Sequence, residues 1–205
     1  MARTFNLVGS HVALDLVNTV DWRGDATRRE ELLATFEDLM AWAAAAKVLR
    51  PRDVRAITLA AQREKGQAER SLRRARRLRE VLARVLTAAG RATSPATRDM
   101  RLLNAFLAAA LRKRRLDVHG TTFAWSWDQG ETISFDAVLW PVVLAAADLL
   151  ASEPRPHIHV CSGEGCGWLF LDTSRNQRRR WCSMRGCGNR AKARRFYERA
   201  RETAP

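Results

Sequence analysis

All four cysteines of this 205-residue chain fall between Cys161 and Cys187, spaced as Cys-x4-Cys, fifteen residues, then Cys-x4-Cys. Two short-range pairs can turn four thiolates toward one point, because each tight turn presents two sulfurs and the segment between them folds one pair onto the other. Zn²⁺ suits such a tetrahedral sulfur set without redox chemistry, and Cys161, Cys166, Cys182 and Cys187 are the expected ligands of one ion. With four thiolates no position is left for water or substrate, so the metal is expected to be structural. Spacing alone leaves two disulfides or an iron–sulfur cluster open. His157 and His159 alternate with Cys161 and could face the same way on a strand; a packing role is expected for both.

A second chemistry follows the first along the chain. From Arg175 to Arg195 there are nine basic residues and no acidic one: Arg175, Arg178, Arg179, Arg180, Arg185, Arg190, Lys192, Arg194 and Arg195. A solvated face usually mixes signs, whereas phosphate neutralisation needs uncompensated charge, and the arginine fork grips phosphate or guanine edges bidentately. These nine, with Asn189 near a helix start, are the expected nucleic-acid contacts. DNA is the leading partner; RNA or the ribosome is one alternative, because phosphate contacts carry no sequence information, and a ligand- or protein-binding module whose finger is only a docking surface is the other. Trp168, Phe170, Trp181, Phe196 and Tyr197 could stack on bases, but a small module needs large apolar groups for its own core, which is the expected role of each.

The whole chain carries 36 Lys and Arg against 22 Asp and Glu, a net of +14. Residues 157–205 hold 11 basic and 4 acidic residues, a net of +7. Such a field favours polyanionic partners. His11 and Asp15 interrupt the apolar stretch near the start, so no secretory leader is expected, and a reducing, cytoplasmic location with zinc rather than disulfides follows. The most apolar run, 137–151, is too short to span a bilayer and contains Pro141 and Asp148, so no membrane partner is expected. No HExxH, GxSxG or P-loop pattern occurs, and the chain is not expected to be an enzyme.

The elements that must position these groups are mostly helical. Apolar residues recur at helical spacing from Val12 to about Trp22, after the Thr35–Asp38 capping signal, from Pro51 to Lys65, from Gln67 to Ala89, and over Leu102–Leu111. Gly66 is the expected break between the third and fourth. The arginines between Arg70 and Arg79 then border an apolar stripe as a solvated face. Between Leu116 and Phe135 the β-favouring residues and the turns at Gly120 and 128–130 predict a small antiparallel sheet. A core helix over Asp136–Ala151 and a stiff linker at 153–156 close a first domain, 1–153, ahead of a second, 157–205. On one helix near the start, Asp15, Asn18 and Thr19 could line a small-molecule pocket. The fold class expected is α+β: a predominantly helical N-terminal domain with a small sheet, then a zinc finger.

The run Cys187-Gly188-Asn189-Arg190, together with Cys-x4-Cys, the polar stretch 172–180 and Trp181-Cys182, closely resembles the CGNR zinc-finger family. The resemblance implies a treble-clef-like finger of knuckle, hairpin and ligand-bearing helix. The first domain resembles the family's companion ABATE domain through Ala13-Leu14-Asp15-Leu16-Val17-Asn18-Thr19, Leu39-Met40-Ala41-Trp42 and the Phe123–Trp127 strand. What this implies is a bacterial, stress-linked transcription regulator whose first domain senses a ligand or forms a homodimer.

Overall fold

A computed structural model describes residues 4–128, 133–152 and 157–202. Helix α1, Val12–Val17, is capped by His11, whose Nδ1 accepts the Ala13 amide. It is shorter than its apolar spacing suggests. After Asn18 the chain opens into β1, Val20–Asp21, which pairs antiparallel with β2, Glu30–Glu31. At the end of β1, Trp22 takes a left-handed φ of 49° that no helix continues through.

Helix α2, Phe36–Ala45, starts with a full capping box: the Asp38 amide donates to Thr35 Oγ1 and the Thr35 amide to Asp38 Oδ2. Helix α3, Pro51–Arg63, places its proline at the first turn. The break before α4, Lys65–Gly90, falls at Glu64 rather than at Gly66. A helix tolerates an exposed glycine inside its first turn more readily than the non-helical φ and ψ found at Glu64. Helix α5, Thr97–Leu111, leads into the hairpin β3, Arg114–His119, and β4, Thr122–Trp127. A 3₁₀ turn, Phe135–Val138, then enters α6, Leu139–Ala151, where Pro141 sits in the first turn and costs no hydrogen bond. Gln129, Gly130 and Thr132 of the expected turn and strand, and the 153–156 linker, lie outside the described residues.

The long α4 is the axis of the core. Its stripe Leu72, Ala75, Leu78, Leu82, Val85 and Leu86 is buried against α1, α2, α5 and α6. Its arginines are less uniform than a solvated face. Arg79 is buried and makes two 2.6 Å hydrogen bonds to the Glu31 carboxylate and one of 3.0 Å to Glu80. Arg76 donates to the carbonyls of Leu33 and Ala34, and Arg74 pairs with Asp136 at 2.9 Å. A helix facing a loop on one side and a core on the other has a border position where a cation can be enclosed, provided acids such as Glu31 and Glu80 meet it.

The last part of the chain continues the same core. Strand β5, Ile158–Val160, pairs antiparallel with β6, Leu169–Leu171, and Ile158 and Leu169 pack with α4 and α1 in the main apolar cluster. A one-turn π segment, Met184–Gly188, leads into α7, Asn189–Glu202, whose positions 192–201 are exposed. Among the described residues no helix is long and apolar enough to cross a membrane.

Candidate metal centre and basic surface

The four cysteines arrive from three pieces of backbone. Cys161 and Cys166 bracket the knuckle between β5 and β6, Cys182 ends the loop after β6, and Cys187 lies in the turn before α7. All four are buried, and their sulfurs lie within 4.8 Å of one another. Sγ of Cys182 is 3.8 Å from that of Cys166 and 3.6 Å from that of Cys187. A tetrahedron with Zn–S bonds of about 2.3 Å has edges of about 3.8 Å, so the cluster has the dimensions of one zinc site.

Electrostatics give the same result. Hydrogen bonds from neighbouring thiols and from the amides of Cys182 and Gly163 hold the Cys161 thiol well below its ordinary range, and donating to neighbouring sulfurs keeps the protons on Cys166 and Cys182, which are pushed up. Four packed sulfurs cannot all ionise unless a cation joins them, and Zn²⁺ supplies that charge. The donors needed to stabilise a tetrathiolate are in place: Cys182 N at 3.2 Å and Gly163 N at 3.4 Å from Cys161 Sγ, and Arg190 Nη2 at 3.0 Å from Cys187 Sγ. Gly163 has no room for a side chain, since a Cβ there would lie 2.8 Å from Cys187 Sγ. The site is a closed structural zinc centre. His157 and His159 stay outside it; the His159 ring packs 5.7 Å from Phe170.

The finger is sewn to the helical part by backbone groups. The Asn18 carboxamide, 3% exposed, donates from Nδ2 to the Leu169 carbonyl at 2.8 Å and accepts the Leu169 amide on Oδ1 at 2.9 Å, acting as one rung of a third strand beside β6. Trp168 Nε1 donates to the Val20 carbonyl, Leu171 N to Gly9 O, and Gly24 N to Gly165 O. Gly167, at φ 66°, lies so close to the Arg23–Gly24 backbone that a Cβ would meet Gly24 N at 2.7 Å.

The three residues expected to line a ligand pocket are therefore in bonds internal to the protein. Asn18 holds β6, Thr19 Oγ1 donates to Leu16 O at 2.7 Å and accepts from Arg79 at 3.2 Å, and Asp15 Oδ1 accepts the Gly9 amide at 2.8 Å. Burial pushes the Asp15 carboxyl up to about 6 despite that amide. Two cavities of about 180 and 150 Å³ open at the seam, one along Leu86, Gly90, Ile158 and His159 and one along Trp22, Arg28, Cys187 and Arg190; neither is lined by Asp15, Asn18 or Thr19.

The nine basic positions divide into two groups. Arg179 is turned inward: it donates to the carbonyls of Trp181, Val8 and Cys182, with its guanidinium 4.5 Å above the Phe170 ring. Arg190 holds Cys187 Sγ and lies 4.9 Å over Trp22. Arg194 pairs with Glu164 and Glu198. The other six, Arg175, Arg178, Arg180, Arg185, Lys192 and Arg195, are exposed and meet no carboxylate among the described residues. Asn189 is exposed at the start of α7. Trp168 and Phe170 are buried and Trp181 is half-buried, as a small core requires, but Phe196 and Tyr197 are 63% and 66% exposed because α7 leaves the body of the protein.

Sequence reasoning missed Asp172. Its buried carboxylate accepts Ser174 N and Oγ with Oδ1 and Arg179 N with Oδ2, which folds the loop that carries the arginines; hydrogen bonding to Ser174 holds it below the usual carboxylate range. The available signal is the Asp-x-Ser spacing of an Asx turn.

A knuckle, a two-stranded hairpin and a ligand-bearing turn entering a helix, closed on four sulfurs, define a treble-clef zinc finger docked on a helical domain. The family model for the CGNR zinc finger matches residues 157–200. The ABATE model, described as "putative stress-induced transcription regulator", matches residues 10–153, and the chain belongs to that family. No curated protein matches the chain.

Proposed function

We propose that this chain regulates transcription by binding duplex DNA, with the finger meeting phosphates through Arg175, Arg178, Arg180, Arg185, Lys192 and Arg195. The observation that carries this is the set of six exposed cations, in a 21-residue stretch without an acid, that internal ion pairs leave uncompensated. The zinc centre and Asp172 fix the loop and the start of α7, so the charges are presented at set spacings rather than on a loose tail, which lowers the ordering cost of binding. The helical domain is the platform on which the finger is held. A small-molecule site at Asp15, Asn18 and Thr19 gains no support, because each is engaged in a hydrogen bond within the protein and none of them lines either cavity at the seam.

The test is a competition assay with zinc-loaded protein bound to a labelled DNA duplex. Unlabelled duplex is expected to displace the label better than structured RNA of equal charge. Changing Arg178, Arg180 and Arg185 together to Ala is expected to weaken binding. Preferential displacement by RNA would move the proposal to RNA, and an unaffected triple variant would remove the finger from the interface.

A further inference from the structure

The β3–β4 hairpin projects from the core with one face uncovered. In its register Leu116 lies opposite Trp125 and Val118 opposite Phe123, so all four side chains stand on the same face. They are 56%, 64%, 63% and 67% exposed, respectively. The other face is polar, carrying Arg115, Asp117, His119, Thr122 and Ser126. Among the described residues the hairpin is anchored at its base: Trp127 packs 5.7 Å from Trp140, and Arg114 lies 4.6 Å over Trp127 and 5.0 Å over Trp125. At the tip, Gly120 takes a φ of 63° in the two-residue turn, and nothing lies within 4 Å of where its Cβ would stand.

A two-stranded ribbon is marginal in water without a further layer over its apolar face, and both outer edges lack a strand partner among the described residues. We propose that the layer is a second copy of this chain, packed hairpin to hairpin about a two-fold axis. Three observations single out a second copy. Each hairpin brings roughly 500 Å² from these four side chains, so two bring roughly 1,000 Å², which reaches the size a specific interface needs before any rim is counted. The chain carries +14, yet between Leu116 and Trp127 this face carries no charge; Arg114, at its base, is already laid over the rings of Trp125 and Trp127, so the like charges of two copies approach only at one rim of the contact. The face is also self-complementary: with the two-fold axis parallel to the strands, the aliphatic row Leu116–Val118 of one copy meets the aromatic row Phe123–Trp125 of the other.

The experiment is sedimentation equilibrium on the full zinc-loaded chain, without nucleic acid, from micromolar to tens of micromolar protein. A closed dimer at twice 23.2 kDa is expected. Phe123→Asp/Trp125→Asp is expected to weaken association at least tenfold, and so is Leu116→Asp/Val118→Asp on the other strand, with helical circular dichroism and zinc content unchanged. Phe196→Asp, an equally exposed aromatic on α7, should leave the dimer intact. On the unmodified protein, amides of β3 and β4 should exchange more slowly as concentration rises, which needs no variant to fold. A single-chain mass throughout, open-ended aggregation, a dimer that survives both hairpin variants, or protection elsewhere would each overturn the proposal.

Discussion

Asn18→Ala is the perturbation that most sharply probes how the finger is held. The carboxamide it removes is the partner of both the N–H and the C=O of Leu169, in a seam where Asn18 is 3% exposed and Leu169 2%. Water cannot reach these groups without opening the contact between α1 and β6. Leaving a buried donor or acceptor unpaired costs about 1–3 kcal/mol each, so the pair costs about 2–6 kcal/mol, and some relaxation brings the expectation to about 3 kcal/mol. For a chain of this size, 1 kcal/mol moves the melting temperature by about 2–4 °C, so a fall of about 6–12 °C is expected. Circular-dichroism melts at fixed zinc and protein concentration read this directly. Asn18→Asp should do almost as much harm, because it keeps the acceptor for Leu169 N–H but turns an oxygen toward Leu169 C=O. A fall of less than about 2 °C for Asn18→Ala would refute the reasoning, because no seam bond of this kind is worth so little.

Arg190→Met keeps the bulk over Trp22 but removes the 3.0 Å donor to Cys187 Sγ; competition with a chromophoric chelator should show zinc affinity reduced about 10–100-fold, whereas unchanged affinity would mean that the thiolate does not need this cation. Asp15 titrates near 6 in the fold against 3.8 as its ordinary value, so the fold favours its neutral form: this contribution is full below about pH 4 and is lost as the pH rises through 6. Asp15→Asn should therefore stabilise the protein at pH 7.5 by about 1–2 kcal/mol, the full shift being reduced by solvent at this half-buried group, and should flatten the decline in melting temperature from pH 5 to pH 7.5. An equal decline in both proteins would count against burial as the cause.

The metal centre was legible because ligation imposes a local spacing: two Cys-x4-Cys turns bring the four sulfurs together whatever surrounds them. The long helices were legible for a similar reason, since Thr35–Asp38, Pro51 and the α4 stripe obey local rules of capping and periodicity. What stayed hidden depends on tertiary neighbours. Nothing around Asn18 signals that Leu169, 151 residues later, takes both of its hydrogen bonds. The spacing from Val12 to Trp22 suits a helix, but pairing of β1 with β2 and the left-handed turn at Trp22 end it at Val17. Nine basic residues in a row of sequence look alike, and only the fold separates Arg179, which braces carbonyls beneath the finger, from Arg178 and Arg180 on either side of it. Phe196 and Tyr197 would sit in a core had α7 folded back; it extends outward instead.

The central claim, that uncompensated arginines on the finger meet phosphate, is tested most directly by the salt dependence of duplex binding. Each phosphate contact contributes about 0.9 to the slope of log Kobs against log salt concentration, so Arg178→Ala/Arg180→Ala/Arg185→Ala should flatten the slope by about 2.7 while leaving melting temperature and zinc content unchanged. A slope that is the same in the wild-type protein and the triple variant, or wild-type binding indifferent to salt, would contradict it.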